Sequence, residues 1–274
     1  MWPGAPRFNT FEKQRYVQEI HLKKLVTFCD QFRYTQKKNM KSILVCLFSL
    51  FALQISAQTV INDKNVEVRK IGSFSAIKVS GGIDIYLSQG NEDAVAVSAS
   101  DPEYRDNIRT EVKNGVLHIY YDNNSFRLRS NKRLRAYISF KNIEGIEGSG
   151  ACNFIITGTF TGASVKVKLS GACEMKGIVN ISDVQFDLSG ASTISVSGKI
   201  ANLKLDASGA SDLKNYELTV DNLIAQLSGA SDAKITVNKS ISATASGASN
   251  LYFKGNPEVR KISSSGASNI SSRE

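Results

Sequence analysis

From about residue 141 onward, apolar and polar positions alternate in short, similar blocks. Taking the Ser of a recurring Ser-Gly-Ala tripeptide as position 0, positions −5, −3 and −1 read Val165-Val167-Leu169, Val184-Phe186-Leu188, Leu203-Leu205-Ala207 and Leu223-Ala225-Leu227. Between them stand polar residues such as Lys166, Lys168, Gln185, Asp187, Lys204 and Asp206. A period of two predicts a strand with one buried face. Past the tripeptide, position +5 is again apolar (Phe154, Met175, Ile194, Leu213, Ala233, Leu251, Ile270), and +7 often is (Ile156, Val196, Ile235, Phe253). Each block therefore reads as two short strands about a small-residue corner, closed by a turn near Gly158, Gly177, Gly198 or Gly255. No stretch shows a helical period, and no block has room for a crossover helix.

The tripeptide occurs seven times, at Ser149, Ser170, Ser189, Ser208, Ser228, Ser246 and Ser265, in steps of 21, 19, 19, 20, 18 and 19 residues. A near-constant period marks a repeat protein whose units bury their apolar faces against one another. The expected fold is all-β: a parallel β-helix, or β-solenoid, of about seven regular coils of 18–21 residues stacked roughly 4.8 Å apart. A β-sandwich with regular hairpins would not require the same tripeptide at each turn. At the corner, Gly150, Gly171, Gly190, Gly209, Gly229, Gly247 and Gly266 supply a positive φ or a close backbone approach, and the following Ala keeps the turn thin. Position +3 (Cys152, Cys173, Ser192, Ser211, Ser231, Ser249, Ser268) is expected to point inward as a row of small packed side chains, provided the alternation survives the corner.

Residues 66–140 are less regular. Ile77 to Leu87 is a degenerate copy of the unit, with Asp84 at +4, and Asn114-Gly115 between apolar runs signals a hairpin. This segment is read as irregular strands and hairpins that cap the solenoid, followed by the regular coils over 141–272. Upstream, Met40-Lys41-Ser42, the apolar run Ile43–Leu53 and a small-residue exit at Ala57 form a signal-peptide pattern over 40–57, too short to span a bilayer. Residues 1–39 precede it and are read as an unstructured extension from a start placed too far upstream. The mature domain is then 58–274, exported to the periplasm, the cell surface or beyond.

Removing 1–57 takes 9 of the 34 Lys+Arg and 3 of the 25 Asp+Glu, leaving 25 and 22, so the net charge falls from +9 to +3. Nucleic-acid binding loses its main support. A local basic cluster remains at Arg127, Arg129, Lys132, Arg133 and Arg135, for which a solvated hairpin tip is favoured over a polyanion site. Cys152 and Cys173 occupy equivalent positions in adjacent coils, close enough for a bridge, but stacked parallel strands point their Cβ atoms unfavourably, and two free buried thiols are expected. No metal-ligand spacing is present, the Gly-rich calcium-coil pattern is absent around Asp212 and Asp232, and no cofactor is expected.

The chain resembles the adhesins of the head GIN domain type, common among exported proteins of Bacteroidota. The resemblance is carried by Phe74-Ser75-Ala76-Ile77-Lys78-Val79-Ser80-Gly81-Gly82-Ile83-Asp84-Ile85-Tyr86, by Asn114-Gly115-Val116-Leu117-His118-Ile119, and by the run of Ser-Gly-Ala-Ser-Asx corners, over roughly residues 70–272. It implies a right-handed β-helical fold and an exported location, with no catalytic residues to carry over. Cys at +3 in the first two corners departs from the usual Ser.

Three functions compete. A binding module would use position +4 (Asn153, Glu174, Thr193, Asp212, Asp232, Asn250, Asn269) as an outward polar ladder meeting a glycan or another repeating polymer, or a surface protein. Asx and Thr at corners ordinarily bond local backbone instead. A polysaccharide-cleaving enzyme would use Asp187 and Asp206, about 5 Å apart on adjacent coils, but nearby lysines offer an ion-pair ladder as the plainer explanation. His118 has no evident nucleophile beside it. Self-association would dock a second copy on the open C-terminal coil. The sequence favours the non-enzymatic binding module.

Overall fold

The computed structural model describes residues 63, 65–122 and 132–274, which are almost all strand. The segments read as an upstream extension and a signal peptide lie outside the described residues, as do Arg127 and Arg129. The elements run β1 (Glu67–Arg69), β2 (Ala76–Ser80), β3 (Asp84–Gln89), β4 (Ala94–Ser98), α1 (Pro102–Asp106), β5 (Ile108–Lys113), β6 (Val116–Tyr121), β7 (Arg135–Phe140) and β8 (Gly145–Ser149). Then come β9 (Asn153–Leu169), β10 (Glu174–Leu188), β11 (Thr193–Ala207), β12 (Asp212–Leu227), β13 (Asp232–Ala245), β14 (Asn250–Lys254), β15 (Glu258–Ser264) and β16 (Asn269–Ser272).

From β9 onward the domain is a parallel β-solenoid. β9 to β13 pair in sequence order, each in parallel with the next, and β13 continues into β14 and β15 on the following coil. The core lies inside the coils as columns of like positions. At +5, Phe154, Met175, Ile194, Leu213, Ala233 and Leu251 stack and are buried, as are Val165, Val184, Leu203, Leu223 and Ile241 on the far side.

One expectation needs correcting. From β9 to β13 the coil is not two short strands closed by a turn at the second glycine; only the coil of β14 and β15, broken at Gly255, has that form. β9 to β13 are single strands of 17, 15, 15, 16 and 14 residues that bend without breaking. Gly177 (φ 143°) and Gly198 (φ 111°) take up one bend while their neighbours stay paired to the adjacent coil. A second bend falls at Ser182-Asp183, where two successive residues face outward and the alternation slips by one. Both bends persist because pairing to the adjacent coil resumes on either side of them, so the ladder need not end where the chain turns.

From β9 to β13 only the Ser-Gly-Ala corner ends a strand, and its chemistry explains the tripeptide. Gly209 has φ 75°, and a Cβ there would lie 2.6 Å from the carbonyl oxygen of Gly190 below it. Both reasons for glycine apply at once. Ala210 N–H donates to that same oxygen at 2.7 Å, so the corners themselves stack by hydrogen bonds. The Ser at position 0 donates to the carbonyl before the preceding corner, as Ser208 Oγ does to Leu188 O at 3.2 Å. The row at +3 is buried from Cys152 to Ser249. It does more than fill space: Ser192, Ser211, Ser231 and Ser249 each donate to the carbonyl three residues back at 2.7–3.0 Å and close the turn. Cys152 and Cys173 make the same contact through Sγ at 3.2 Å, a weaker donor in the same place, and both thiols are free.

The N-terminal part stacks out of order. β2 and β3 pair in parallel with β8 and β9 and form a coil of their own. On their other side lie β6 and β7, also parallel. The chain then covers the outermost edges with antiparallel strands: β5 on β6, β4 on β7, and β1 on β4. The β5–β6 turn is Asn114-Gly115, both at positive φ (53° and 75°). Asp63 ties the start of the domain to this end: it accepts from Ser98 Oγ at 2.6 Å and pairs with Arg135 at 3.3 Å. The Ser98 hydrogen bond, with Arg135 beside it, holds its carboxyl below the usual carboxylate range. At the other end, β15 is exposed along its length, including Val259 and Ile262.

Candidate functional site

Two polar columns run along the outside of the coils. The first is position +4. Asn153, Glu174, Thr193, Asp212, Asp232, Asn250 and Asn269 are register partners from coil to coil, and Asp84 extends the row beyond Asn153. None is buried. Their side chains bond one another and nearby lysines: Asn153 Nδ2 donates to Asp84 Oδ1 at 2.7 Å, Asn250 Nδ2 to Asp232 Oδ1 at 2.8 Å, and Lys176 and Lys214 pair with Glu174 (2.8 Å) and Asp212 (2.9 Å). The local backbone bonding expected of such residues falls to the +3 serines instead. Asp212 and Asp232 face each other directly; like charges in that position repel, and Lys214 and Asn250 offset the repulsion.

The same face carries aromatic rings. Tyr86, two residues beyond Asp84, stacks on Tyr137 with centroids 5.0 Å apart at 21°. Toward the C-terminal end, Lys254 Nζ lies 5.4 Å from the Tyr216 ring and Arg273 caps Tyr252 at 4.4 Å.

The second column was not anticipated. At the second bend, Ser164, Asp183, Asn202, Asn222 and Ser240 are register partners. Ser240 Oγ donates to Asn222 Oδ1 (2.8 Å), Asn222 Nδ2 to Asn202 Oδ1 (2.9 Å) and Asn202 Nδ2 to Asp183 Oδ1 (2.8 Å). Ser164, Asp183, Asn202, Asn222 and Ser240 stand 15, 13, 13, 14 and 12 positions past their corner serines. The varying coil length hides the row from a fixed-period reading, although Asp or Asn in three successive units was the available signal. This column lines an open groove of about 1090 Å³, bounded by Asn142-Ile143-Glu144 at one end and Arg260 at the other. Gln89 orders the groove's edge, accepting from Thr161 N (2.9 Å) while donating to Thr161 O (3.0 Å).

The carboxylates considered for catalysis do stand opposite each other, Asp187 beside Asp206. Each is held by a lysine, Lys166 at 3.1 Å and Lys204 at 3.2 Å, and Asp187 also accepts from Gln185 Nε2 at 2.8 Å. That is the arrangement of an ion-pair ladder. His118 lies in β6 opposite Glu111 and Lys78. Among the described residues, no group of three or more His, Cys, Asp or Glu is placed to hold a metal, and no helix is long and apolar enough to cross a membrane. In the basic cluster, Lys132 lies over Tyr121 at 4.5 Å and Arg135 is committed to Asp63, so both serve the fold. The Cys173 thiol is pushed above its ordinary range by its contact with Cys152 and by burial.

Known structures share this architecture. A "putative adhesin" from Bacteroides fragilis is 19% identical and superposes with a TM-score of 0.70, covering 77% of this chain and 98% of that one. A "putative adhesin" from Parabacteroides merdae is 16% identical with a TM-score of 0.56, covering 77% and 98%. A "putative lipid binding protein" from Parabacteroides distasonis is 19% identical with a TM-score of 0.55, covering 76% and 98%. No curated protein sequence matches the chain. The family described as "Putative auto-transporter adhesin, head GIN domain" matches residues 73–257, which span the N-terminal coils and six of the seven Ser-Gly-Ala corners. The chain belongs to the head GIN domain adhesin family.

Proposed function

We propose that this protein is an exported, non-enzymatic adhesion module that binds a repeating polymer such as a glycan, with the +4 face as its contact surface. The observation that carries this reading is the register of the +4 residues: amide, hydroxyl and carboxylate groups recur once per coil, about 4.8 Å apart, on one outward face. A polymer laid along the solenoid axis meets the same kind of group at every step, so weak contacts add up along its length. Tyr86, Tyr137, Tyr216 and Tyr252 on that face offer flat apolar surface to sugar rings, whose C–H groups pack on aromatic faces while their hydroxyls reach the ladder. Family membership supports the adhesion role, and the signal-peptide pattern over 40–57 supports export. The lysine pairing of Asp187 and Asp206 favours binding over cleavage.

The test is retention of the purified protein on a polysaccharide array, with reducing-end release followed in the same samples. The expected result is binding without release, weakened several-fold in Asp232→Ala/Asn250→Ala. Release of reducing ends would overturn the non-enzymatic reading, and undiminished binding by that variant would remove the +4 face from it.

A further inference from the structure

The groove at the second bend lies on a different part of the coil from the +4 face and is a concave site in its own right. We propose that it is a second polymer site, specific for a linear, uncharged polysaccharide lying parallel to the solenoid axis.

The hydrogen-bond chain inside it has a direction. It starts at the Ser240 hydroxyl, passes through the amides of Asn222 and Asn202, and ends on the Asp183 carboxylate. An Asn amide has two N–H donors and an oxygen with two lone pairs. Each of these two amides spends one N–H and one lone pair on its neighbours, which leaves one donor and one acceptor at each coil. The chain also fixes which way each amide points, so the remaining donor and acceptor are oriented before a ligand arrives. Sugar hydroxyls both donate and accept and suit such a pair. From Asp183 to Ser240 the column crosses three coil steps, about 14 Å, a length that holds roughly three to four sugar units in an extended chain.

Charge argues against an acidic ligand. The two lysines lining the groove are already engaged, Lys166 with Asp187 and Lys204 with Asp206. The remaining cation of the lining, Arg260, stands at one end of the groove, whereas Asp183 lies in the ladder itself and Glu144 at the other end, so a uronate or sulfate laid along the ladder meets negative charge. Beside Asn222 the wall is Ile224, 54% exposed, an apolar surface at the height of the amide ladder. Amides edged by an exposed aliphatic side chain match the alternating polar rim and apolar face of a neutral sugar ring.

The proposal rests on the adhesion reading only in expecting a glycan ligand, and different residues carry the two sites. The experiment measures binding of the full protein to linear glucans, mannans, xylans and galactans, and to polygalacturonate and alginate as acidic counterparts. Oligomers of one to six units from the best polymer then give the length dependence. Asn202→Ala/Asn222→Ala is expected to lose about tenfold in affinity for a neutral polymer. That loss should exceed any caused by Asp232→Ala/Asn250→Ala, and affinity should stop rising at about four units. Ser242→Trp, which fills the groove from the row of Ile224 beside the ladder, gives the same loss with every ladder residue intact, so a folding defect in the double Asn variant does not decide the matter. Preference for the acidic polymers, absence of binding to every neutral polymer, or binding that survives both groove variants overturns the proposal. Loss in the +4 variant alone would place the glycan on the other face and overturn the groove while sparing the adhesion reading.

Discussion

The regular coils and the segment from Glu67 to Phe140 are built from the same kind of strand in one continuous sheet, yet they obey different rules. In the coils, neighbours in sequence are neighbours in space and every pairing is parallel. In the N-terminal segment the coil of β6 and β7 lies outside the earlier coil of β2 and β3, and antiparallel strands form the outer edge. A unit that stacks on copies of itself has no internal reason to stop, because each coil presents an open backbone edge to the next. At the N-terminal end that edge is covered by strands that run the other way. The comparison teaches that repetition specifies propagation, while termination needs sequence that breaks the repeat.

The sharpest way to break this comparison is to place one substitution in both regions. Gly209→Ala in a coil corner meets positive φ and a carbonyl 2.6 Å from the new Cβ, whereas at Gly82 (φ 71°) nothing lies within 4 Å. The corner variant is expected to lose about 3 kcal/mol or more, and Gly82→Ala about 1–2 kcal/mol from φ alone. Urea denaturation of both measures the difference, and equal losses would show that stacking does not tighten the coil corners.

Next in size is the anchor of the capped end. Asp63→Asn removes the charge that Ser98 and Arg135 hold and should cost about 1 kcal/mol. The folded carboxyl is depressed below its unfolded value near 4, so its stabilisation is present above about pH 4 and is lost as pH falls through the lower folded pKa. Stability measured from pH 6 to pH 2 should fall less steeply in the variant, and parallel curves would contradict the anchor. The smallest effect is expected at the thiols. Cys152→Ser/Cys173→Ser installs the residue that closes the later corners, and a change under about 1 kcal/mol should follow. In the native protein Cys173 should also resist alkylation at mildly alkaline pH, since its contact with Cys152 and its burial push its thiol up; rapid labelling at Cys173 would contradict its place in the core.

Much of the coil was legible because its physics is local. The −5, −3, −1 and +5 positions gave the buried face, the spacing of the Ser-Gly-Ala corners gave the architecture, and the +4 row followed by counting. Position +3 was placed inward, but its hydroxyl bond to the corner carbonyl was read only as packing, since volume and hydrogen bonding select the same small side chains. The long bent strands were missed: glycine signals a turn in one chain, and only the adjacent coil reveals that pairing continues through it. The Asp183–Asn202–Asn222–Ser240 column was hidden because coils of unequal length put it at 12 to 14 residues past the corner. The inverted order of the N-terminal coils has no local signature, since β2, β3, β6 and β7 have the same alternation whichever stacks outermost.

The central claim is that the coils read a polymer step by step, and changing the number of coils tests it most directly. Removing residues 190–208 joins Ser189 to Gly209 and deletes one whole coil, with Thr193 from one column and Asn202 from the other, while restoring an intact corner. A second copy of the same 19 residues lengthens the solenoid instead. With affinity measured against oligosaccharide length, the plateau should come about one sugar unit earlier in the shortened protein and one later in the lengthened one. Two folded variants with the plateau unmoved would contradict it.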